Sequence, residues 1–426
     1  MSEPGFSVAV YQNEYLPEGG QEVNAIVTVT SPADGLPAEQ AGGEAAEVII
    51  IDCSGSMGAP RTKIEQAKLA TSAAIDVIRD GVEFAVIAGT DTAWAAYSGQ
   101  GGLVAADALS RAQAKQAVAA LRPSGGTAIG RWLNLARTMF ERSPAAIRHA
   151  ILLTDGKNEH ESPTDLDAAI AACDGVFSCD CRGVGTDWVV AELRRVASGL
   201  LGTVDIVPDP EGLSADFAAM MEKAMGKKVP DVTLRVWTPQ GAELQFVKQV
   251  APSLEDLTGR RSQSGPQSGD YPTGSWGGGE SRDYHICVRV GPAEVGQEML
   301  AARVSLVVGS QVAGQGLVRA VWTGDLALST RINKAVAHYS DQSELAESIQ
   351  DGLEARRRGD EDTATAKLGR AVQLAHESGN DQAESLLAKV VDVVDPATGT
   401  VRVKKTVAAV DEMTLDTRST ITVRKK

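Results

Sequence analysis

Unbroken apolar runs alternate with helix-spaced stripes through the middle of this chain. Val48-Ile49-Ile50-Ile51 and Ala150-Ile151-Leu152-Leu153 carry no polar interruption, the pattern of strands buried on both faces of a parallel sheet. After the first run, Ile64, Ala67, Ala70, Ala74, Ile75 and Ile78 recur at helical spacing. The same alternation predicts strands over 47–52, 147–153, 176–184 and 203–207, and helices over 110–121, 128–141, 165–172, 188–198 and 211–224. Residues 82–87 and 93–97, on either side of the turn around Gly89, are expected to form an antiparallel edge pair. Strand and helix in turn imply a doubly wound, Rossmann-like α/β domain over residues 46–226.

The flanks read differently. Residues 6–12 and 23–30 alternate β-branched and polar positions around a Pro/Gly turn, and 232–237, 244–250, 284–290, 299–308 and 311–321 alternate likewise. Two N-terminal strands cannot make a stable domain alone; joined to the five later ones they would close an antiparallel β-sandwich. The expected architecture is multidomain, α/β plus β plus α, with the α/β domain inserted in the sandwich. Residues 31–45 form a polar, Gly- and Ala-rich linker, and 258–283 are expected to be a Gly/Ser-rich loop holding Tyr271 and Trp276. Farther on, Ile332, Val336, Leu345, Ile349, Leu353, Ala364, Leu368, Ala371, Leu374 and Ala375 lie at helical spacing, with turns at 356–360 and 378–380. These predict a small antiparallel helical bundle. The domain limits are then 1–45, 46–226, 227–326 for the remainder of the sandwich, 327–395 for the bundle, and 396–426. That last segment is a Thr- and Lys-rich tail, expected to be disordered or a hairpin.

Composition narrows what this architecture can do. The 426-residue chain carries a formal charge of −15, which argues against nonspecific binding to nucleic acid or an anionic membrane. No apolar stretch approaches the length of a membrane helix, and Met1 to Gly5 lack the basic and then apolar regions of a secretory signal. A cytoplasmic protein is expected. Cys173, Cys179 and Cys181 cluster, but three thiols without a fourth ligand fall short of a structural zinc site, so buried reduced thiols are expected. Cys53 is expected to pack.

Candidate chemistry concentrates where the first buried run ends. Asp52, Ser54 and Ser56 alternate, so an extended turn aims all three side chains one way. One carboxylate and two hydroxyls are hard donors suited to Mg²⁺, yet three oxygens do not complete an octahedron. Thr127, in Ser124-Gly125-Gly126-Thr127, and Asp155, in Thr154-Asp155-Gly156, could supply more. In an open parallel sheet, strand C-termini converge at the crevice where strand order reverses. Taken alone, Asp52 to Ser56 would fit a turn, a nucleophile elbow or a metal loop.

With Thr127 and Asp155 included, the set resembles the metal-ion-dependent adhesion site of von Willebrand factor A domains, and the segment 46–226 resembles that family throughout. The resemblance implies a bound Mg²⁺, replaceable by Mn²⁺ or Ca²⁺. Ser54 and Ser56 would coordinate directly, Thr127 directly or through water, and Asp52 and Asp155 mainly by holding coordinated waters. It also implies an open coordination position that takes an Asp or Glu from a protein partner, and a last helix, 211–224, that slides when ligand binds. Met57, Lys157, Asn158 and His160 flank the loops and are expected at the ligand rim. Without metal, Asp52 and Asp155 are expected to repel across the crevice. The expected function is Mg-dependent protein–protein interaction rather than catalysis, in an intracellular bacterial signalling or stress-response assembly.

Rival readings remain. Ser56 after a strand faintly resembles a nucleophile elbow with His160 as base, which makes a serine hydrolase a third choice; the first glycine is absent, and Asp52 and Thr127 would lack roles. No Gly-x-x-x-x-Gly-Lys-Ser/Thr occurs, and no Gly-x-Gly-x-x-Gly follows the first buried strand, so neither an NTPase nor a dinucleotide enzyme is expected. The alternative is a substrate adaptor or chelatase-like subunit of an AAA ATPase, which some intracellular A domains resemble. In the tail, Thr414, Thr417 and Thr420 are candidate phosphoacceptors through which a forkhead-associated domain or a kinase could dock.

Overall fold

The structure, a computed structural model, describes residues 5–33 and 45–424. Most of the expected linker and the first four residues, on which the absence of a secretory signal partly rests, lie outside the described residues. The chain divides into two compact units, Ala41–Pro230 and a discontinuous one of Met1–Gln40 with Asp231–Lys426.

In the first unit, six strands lie in the order Val204–Val207, Ser178–Val184, Ile147–Thr154, Ala45–Asp52, Glu83–Gly89 and Ala93–Tyr97. The first five are parallel; Ala93–Tyr97 is antiparallel, and the short Val104–Ala105 also pairs with Glu83–Gly89. Every residue of Ala45–Asp52 is buried, which is why Val48 to Ile51 within it form an uninterrupted apolar run. Ile49, Ile51 and Cys53 face a cluster that includes Ile64, Ala67, Phe217 and Met221, from the helices Thr62–Val77 and Leu213–Met225. Ala108–Ala120 and Pro163–Cys173 each open on a capping box, Asp107 with Ser110 and Ser162 with Asp165. These satisfy backbone donors that would otherwise be orphaned at the helix start. From the central Ala45–Asp52 the chain goes first to one neighbouring strand and later to the other. The switch point therefore lies where Ala45–Asp52 and Ile147–Thr154 end side by side.

The second unit holds two larger sheets among the described residues. One runs Ser7–Gln12, Glu22–Thr30, Ser281–Arg289, Glu243–Ala251, Glu255–Asp256, so strands from both sides of the α/β segment share it. The other runs Ser262–Gly265, Ser268–Pro272, Val232–Trp237, Glu298–Val308, Gln311–Trp322, Tyr15–Leu16. Residues 258–283 are thus not the loop expected: Ser262–Gly265 and Ser268–Pro272 form a hairpin added to Val232–Trp237. Polar composition misled because this is a sheet edge, where polar residues are tolerated. Arg235 holds Asp270 there through two bonds of 2.7 and 2.8 Å, while Tyr271 and Trp276 are fully buried.

Lys334–Arg358, Glu361–Ser378 and Asp381–Val390 are helices packed around Leu345, Ile349, Leu353, Leu368 and Leu387. Gly359 and Gly379, at φ +77° and +66°, end the first two. Asp360 and Asn380 then cap the helices that follow by accepting the Thr363 and Ala383 N–H groups. Arg356 to Arg358 form the last helical turn and not part of the connection. The tail differs most from expectation. Thr400–Val403 pairs with Val391–Asp395, and Ala409–Arg418 is a helix whose Leu415 enters the bundle core. Arg357 bonds Glu412 at 3.0 Å and Asp416 at 2.5 Å, Leu254 N–H donates to Thr420 O, and Arg424 grips Asp283 with two bonds of 2.9 Å. Among the described residues no helix is long and apolar enough to cross a membrane.

Candidate metal centre

Asp52 closes the central strand with its carboxylate out of solvent. Its Oδ1 accepts the Ser54 N–H at 2.7 Å and its Oδ2 accepts the Thr154 hydroxyl at 2.5 Å. A single 3-10 turn, Gly55–Gly58, follows. It leaves Ser54 and Ser56 side by side, Oγ to Oγ 2.9 Å, and Ser56 Oγ donates to Asp155 Oδ1 at 2.7 Å. The Gly-Gly-Thr loop is laced to the same turn, since Gly55 N–H donates to Gly125 O at 3.0 Å and Ser124 N–H to Cys53 O at 2.7 Å. Convergence is measurable at Gly156. A Cβ placed there would lie 3.1 Å from Thr127 Oγ1, 3.3 Å from Ser56 Oγ and 3.9 Å from Asp52 Oδ2. All five residues singled out from the sequence meet in this cradle. Three hydroxyls and two carboxylates around a gap that a methyl group would fill are a donor set suited to a hard divalent cation.

The electrostatics differ from expectation. Asp52 and Asp155 do not confront each other unrelieved, because Lys63, 7% exposed, reaches in from the first turn of the following helix. Its Nζ donates to Asp155 Oδ2 at 2.7 Å and to Asp187 Oδ2 at 3.1 Å. Burial pushes the Asp52 carboxyl up from 3.8 to about 6, against the bonds from Thr154 and Ser54; the Asp155 charge adds to the rise. Cys53 is fully buried, and burial pushes its thiol up to about 12. Cys173, Cys179 and Cys181 are likewise buried free thiols; in that state cysteine behaves as a small apolar residue.

Of the expected rim residues, two are internal. Met57 sits inside the 3-10 turn with its side chain fully buried in the apolar cluster. Asn158 is 8% exposed and spends its Oδ1 on the Ile129 N–H at 2.8 Å. Lys157 and His160 are exposed. His160 Nδ1 accepts the Thr127 N–H at 3.2 Å, and the ring packs so close to Gly126 that a Cβ there would come within 2.1 Å. With Ser56 Oγ donating to Asp155, neither member of the postulated Ser56–His160 pair is hydrogen-bonded to the other. In the tail, Thr414 and Thr417 are 5% and 1% exposed, and their hydroxyls donate to Val410 O and Met413 O. That placement argues against either as a phosphoacceptor in the folded chain; Thr420 is half-buried.

Sequence reading missed Lys63, Thr154 and Gly156. Lys63 had a signal: it falls on the inward stripe with Ala67, Ala70 and Ala74, where a charge is out of place unless it has a buried partner. A second polar cluster, also missed, lies toward the opposite end of the same strands. There His149 Nδ1 bonds Glu47 Oε2 at 2.8 Å and its Nε2 bonds Asp180 Oδ2 at 3.1 Å.

Residues 46–206 match the family model of the von Willebrand factor type A domain, and residues 373–419 that of the von Willebrand factor type A C-terminal domain. A solved structure described as von Willebrand factor type A from Catenulispora acidiphila is 53% identical, over 99% of this chain and 98% of that one, with a TM-score of 0.94. This chain belongs to the von Willebrand factor type A family. The fold, across 98% of both chains, is also that of the ArnB paralog VWA2 from Sulfolobus acidocaldarius, at TM-score 0.60 and 15% identity. An uncharacterised protein of Synechocystis is 27% identical over 216 residues; the match spans 49% of this chain and 49% of that relative's length. Von Willebrand factor type A domains are commonly protein-interaction modules and often bind a divalent metal at a metal-ion-dependent adhesion site. The C-terminal match joins the last bundle helices to Ala409–Arg418, which local pattern alone had assigned to a separate tail.

Proposed function

We propose that this von Willebrand factor type A protein binds a protein partner through a divalent ion, Mg²⁺ with Mn²⁺ or Ca²⁺ as substitutes. Ser54, Ser56 and Thr127 supply hydroxyl oxygens, and Asp52 and Asp155 carboxylates. One observation carries the reading: oxygens of Thr127, from one segment, and of Ser56 and Asp52, from another, all lie within 4 Å of one point beside Gly156 on a third. When bound, the ion acts as a Lewis acid toward an aspartate or glutamate of the partner. Ser56 is exposed whereas Asp52, Ser54, Thr127 and Asp155 are buried, so a ligand approaches over Ser56, past Lys157 and His160. We assign the chain no catalytic step and place it in a cytoplasmic bacterial signalling or stress-response assembly.

The test is capture of partners from native lysate in Mg²⁺, in EDTA, and with Asp52→Ala. Partners present only in the first condition support the reading, whereas a partner set unchanged in all three overturns it. A forkhead-associated or kinase partner would fix the pathway as signalling. A metal-dependent AAA ATPase would instead identify an adaptor.

A further inference from the structure

Lys63 gives the cradle a charge that the oxygen donors alone would not have. Its ammonium touches Asp155 at 2.7 Å and is 7% exposed, so water screens that contact little. Asp187, its other partner at 3.1 Å, has a side chain 68% exposed, and solvent screens it well. Counting the buried groups, two carboxylates and one ammonium give the cradle's own side chains one net negative charge. A divalent ion turns that into one net positive charge. Without Lys63 the filled cradle would be neutral.

Resting on the metal-dependent reading above, we propose that Lys63 is the specificity-determining residue of this site: a fixed cation that weakens the metal while keeping the filled site electropositive. The filled site then selects an anionic carboxylate over a neutral oxygen ligand such as water or an amide. Two consequences run in opposite directions. Removing the ammonium raises affinity for the ion, because two carboxylates then act on it unopposed. The same change lowers affinity for an incoming carboxylate, because the excess positive charge is gone. Loss of packing or of loop order would lower both.

The experiment uses the full chain, with Mn²⁺ as the ion and acetate as the carboxylate. Free Mn²⁺ is read by its paramagnetic resonance signal, and acetate entry by the fall in water-proton relaxation of bound Mn²⁺. Lys63→Met should bind Mn²⁺ about tenfold more tightly or better and acetate about tenfold more weakly; Lys63→Arg should stay near wild type in both. Asp187→Asn, on an exposed side chain that does not threaten folding, releases Lys63 from its outer partner. It should move both readouts the other way, toward weaker Mn²⁺ and tighter acetate, by about twofold to threefold. Opposed shifts support the inference. Parallel losses in Lys63→Met, or no shift in either variant, overturn it while leaving the proposed function standing. A wild-type chain that binds no Mn²⁺ overturns the proposed function, and this inference with it.

Discussion

Replacing Gly156 by alanine adds one methyl group at the point where the site's oxygens meet. The new Cβ would stand 3.1 Å from Thr127 Oγ1, 3.3 Å from Ser56 Oγ and 3.9 Å from Asp52 Oδ2. It would therefore occupy the space an ion needs for bonds of roughly 2.1 Å to the same oxygens. The backbone at Gly156 is not left-handed, so alanine is not strained there. Its entropic benefit in the unfolded chain, about 0.4–1 kcal/mol, should offset the small adjustments that the two closest hydroxyls must make. The metal-free melting temperature should therefore stay within about 4 °C of wild type. Metal response is another matter. On the proposed function, wild-type protein at a hundredfold excess of Mg²⁺ over Kd should gain about 2.7 kcal/mol, or roughly 5–10 °C for a domain of this size. Gly156→Ala should show almost none of that gain. Thermal melts with and without Mg²⁺, paired with Mn²⁺ titration calorimetry, read both quantities. Wild-type Mn²⁺ affinity in a well-folded Gly156→Ala would refute the reasoning, because the oxygens could not then share one ion.

Other consequences concern stability. Burial alone would lower the His149 imidazole, but Glu47 and Asp180 overcome it and hold it up at about 10, above its ordinary 6.5. The stability it contributes is therefore complete below pH 6.5 and drains away as pH rises through 10, to an extent on the order of 5 kcal/mol. Urea midpoints taken from pH 6.5 to 10 should fall in wild type and stay nearly flat in His149→Gln; a flat wild-type profile would count against the buried ion cluster. Leu415→Ala should cost about 2–4 kcal/mol and remove hydrogen-exchange protection from Ala409–Arg418, since Leu415 is 1% exposed in the bundle core. Thr417→Glu buries an unpaired charge and should cost about 2 kcal/mol or more, while Thr420→Glu stays within about 0.5 kcal/mol. Equal melting temperatures for these two variants would contradict the placement of the tail helix.

What could be read from the sequence had a local or periodic cause. Val48 to Ile51 is apolar because helices and neighbouring strands leave it no solvent, and any such strand shows the same pattern. Asp52, Ser54, Ser56, Thr127 and Asp155 were legible because strand ends in an open parallel sheet gather at one crevice. Met57 was misplaced because proximity to the loop in sequence says nothing of direction, and one 3-10 turn carries its side chain into the core. The hairpin Ser262–Gly265 with Ser268–Pro272 hid behind edge-strand polarity. The tail helix hid because its anchors, Arg356 and Arg357, lie 55 to 59 positions earlier, and a sliding local pattern cannot see a partner so far away. Lys63 was visible as a charge on an apolar stripe, but only the fold shows which carboxylate it serves.

The two polar clusters of the α/β unit bury the same kind of group and differ in what surrounds it. Near one end of the strand Ala45–Asp52, Glu47 and Asp180 share His149, and Asp180 also accepts the Thr203 N–H and hydroxyl at 2.6 Å. At the other end, Ser54 and Ser56 hydroxyls turn to each other and to Asp155, donors and acceptors that a cation can recruit. Five residues of extended chain separate Glu47 from Asp52, roughly 16 Å, well beyond the distance at which substitutions usually couple. Stability and metal affinity should therefore be separable. His149→Gln should shift the urea midpoint at neutral pH and leave Mn²⁺ affinity within about twofold, Gly156→Ala should do the reverse, and the double variant should show both effects added to within about 0.5 kcal/mol. A double variant departing from that sum by more than about 1 kcal/mol would mean that the strand transmits strain from one end to the other, and that the metal site draws on the buried histidine for its shape.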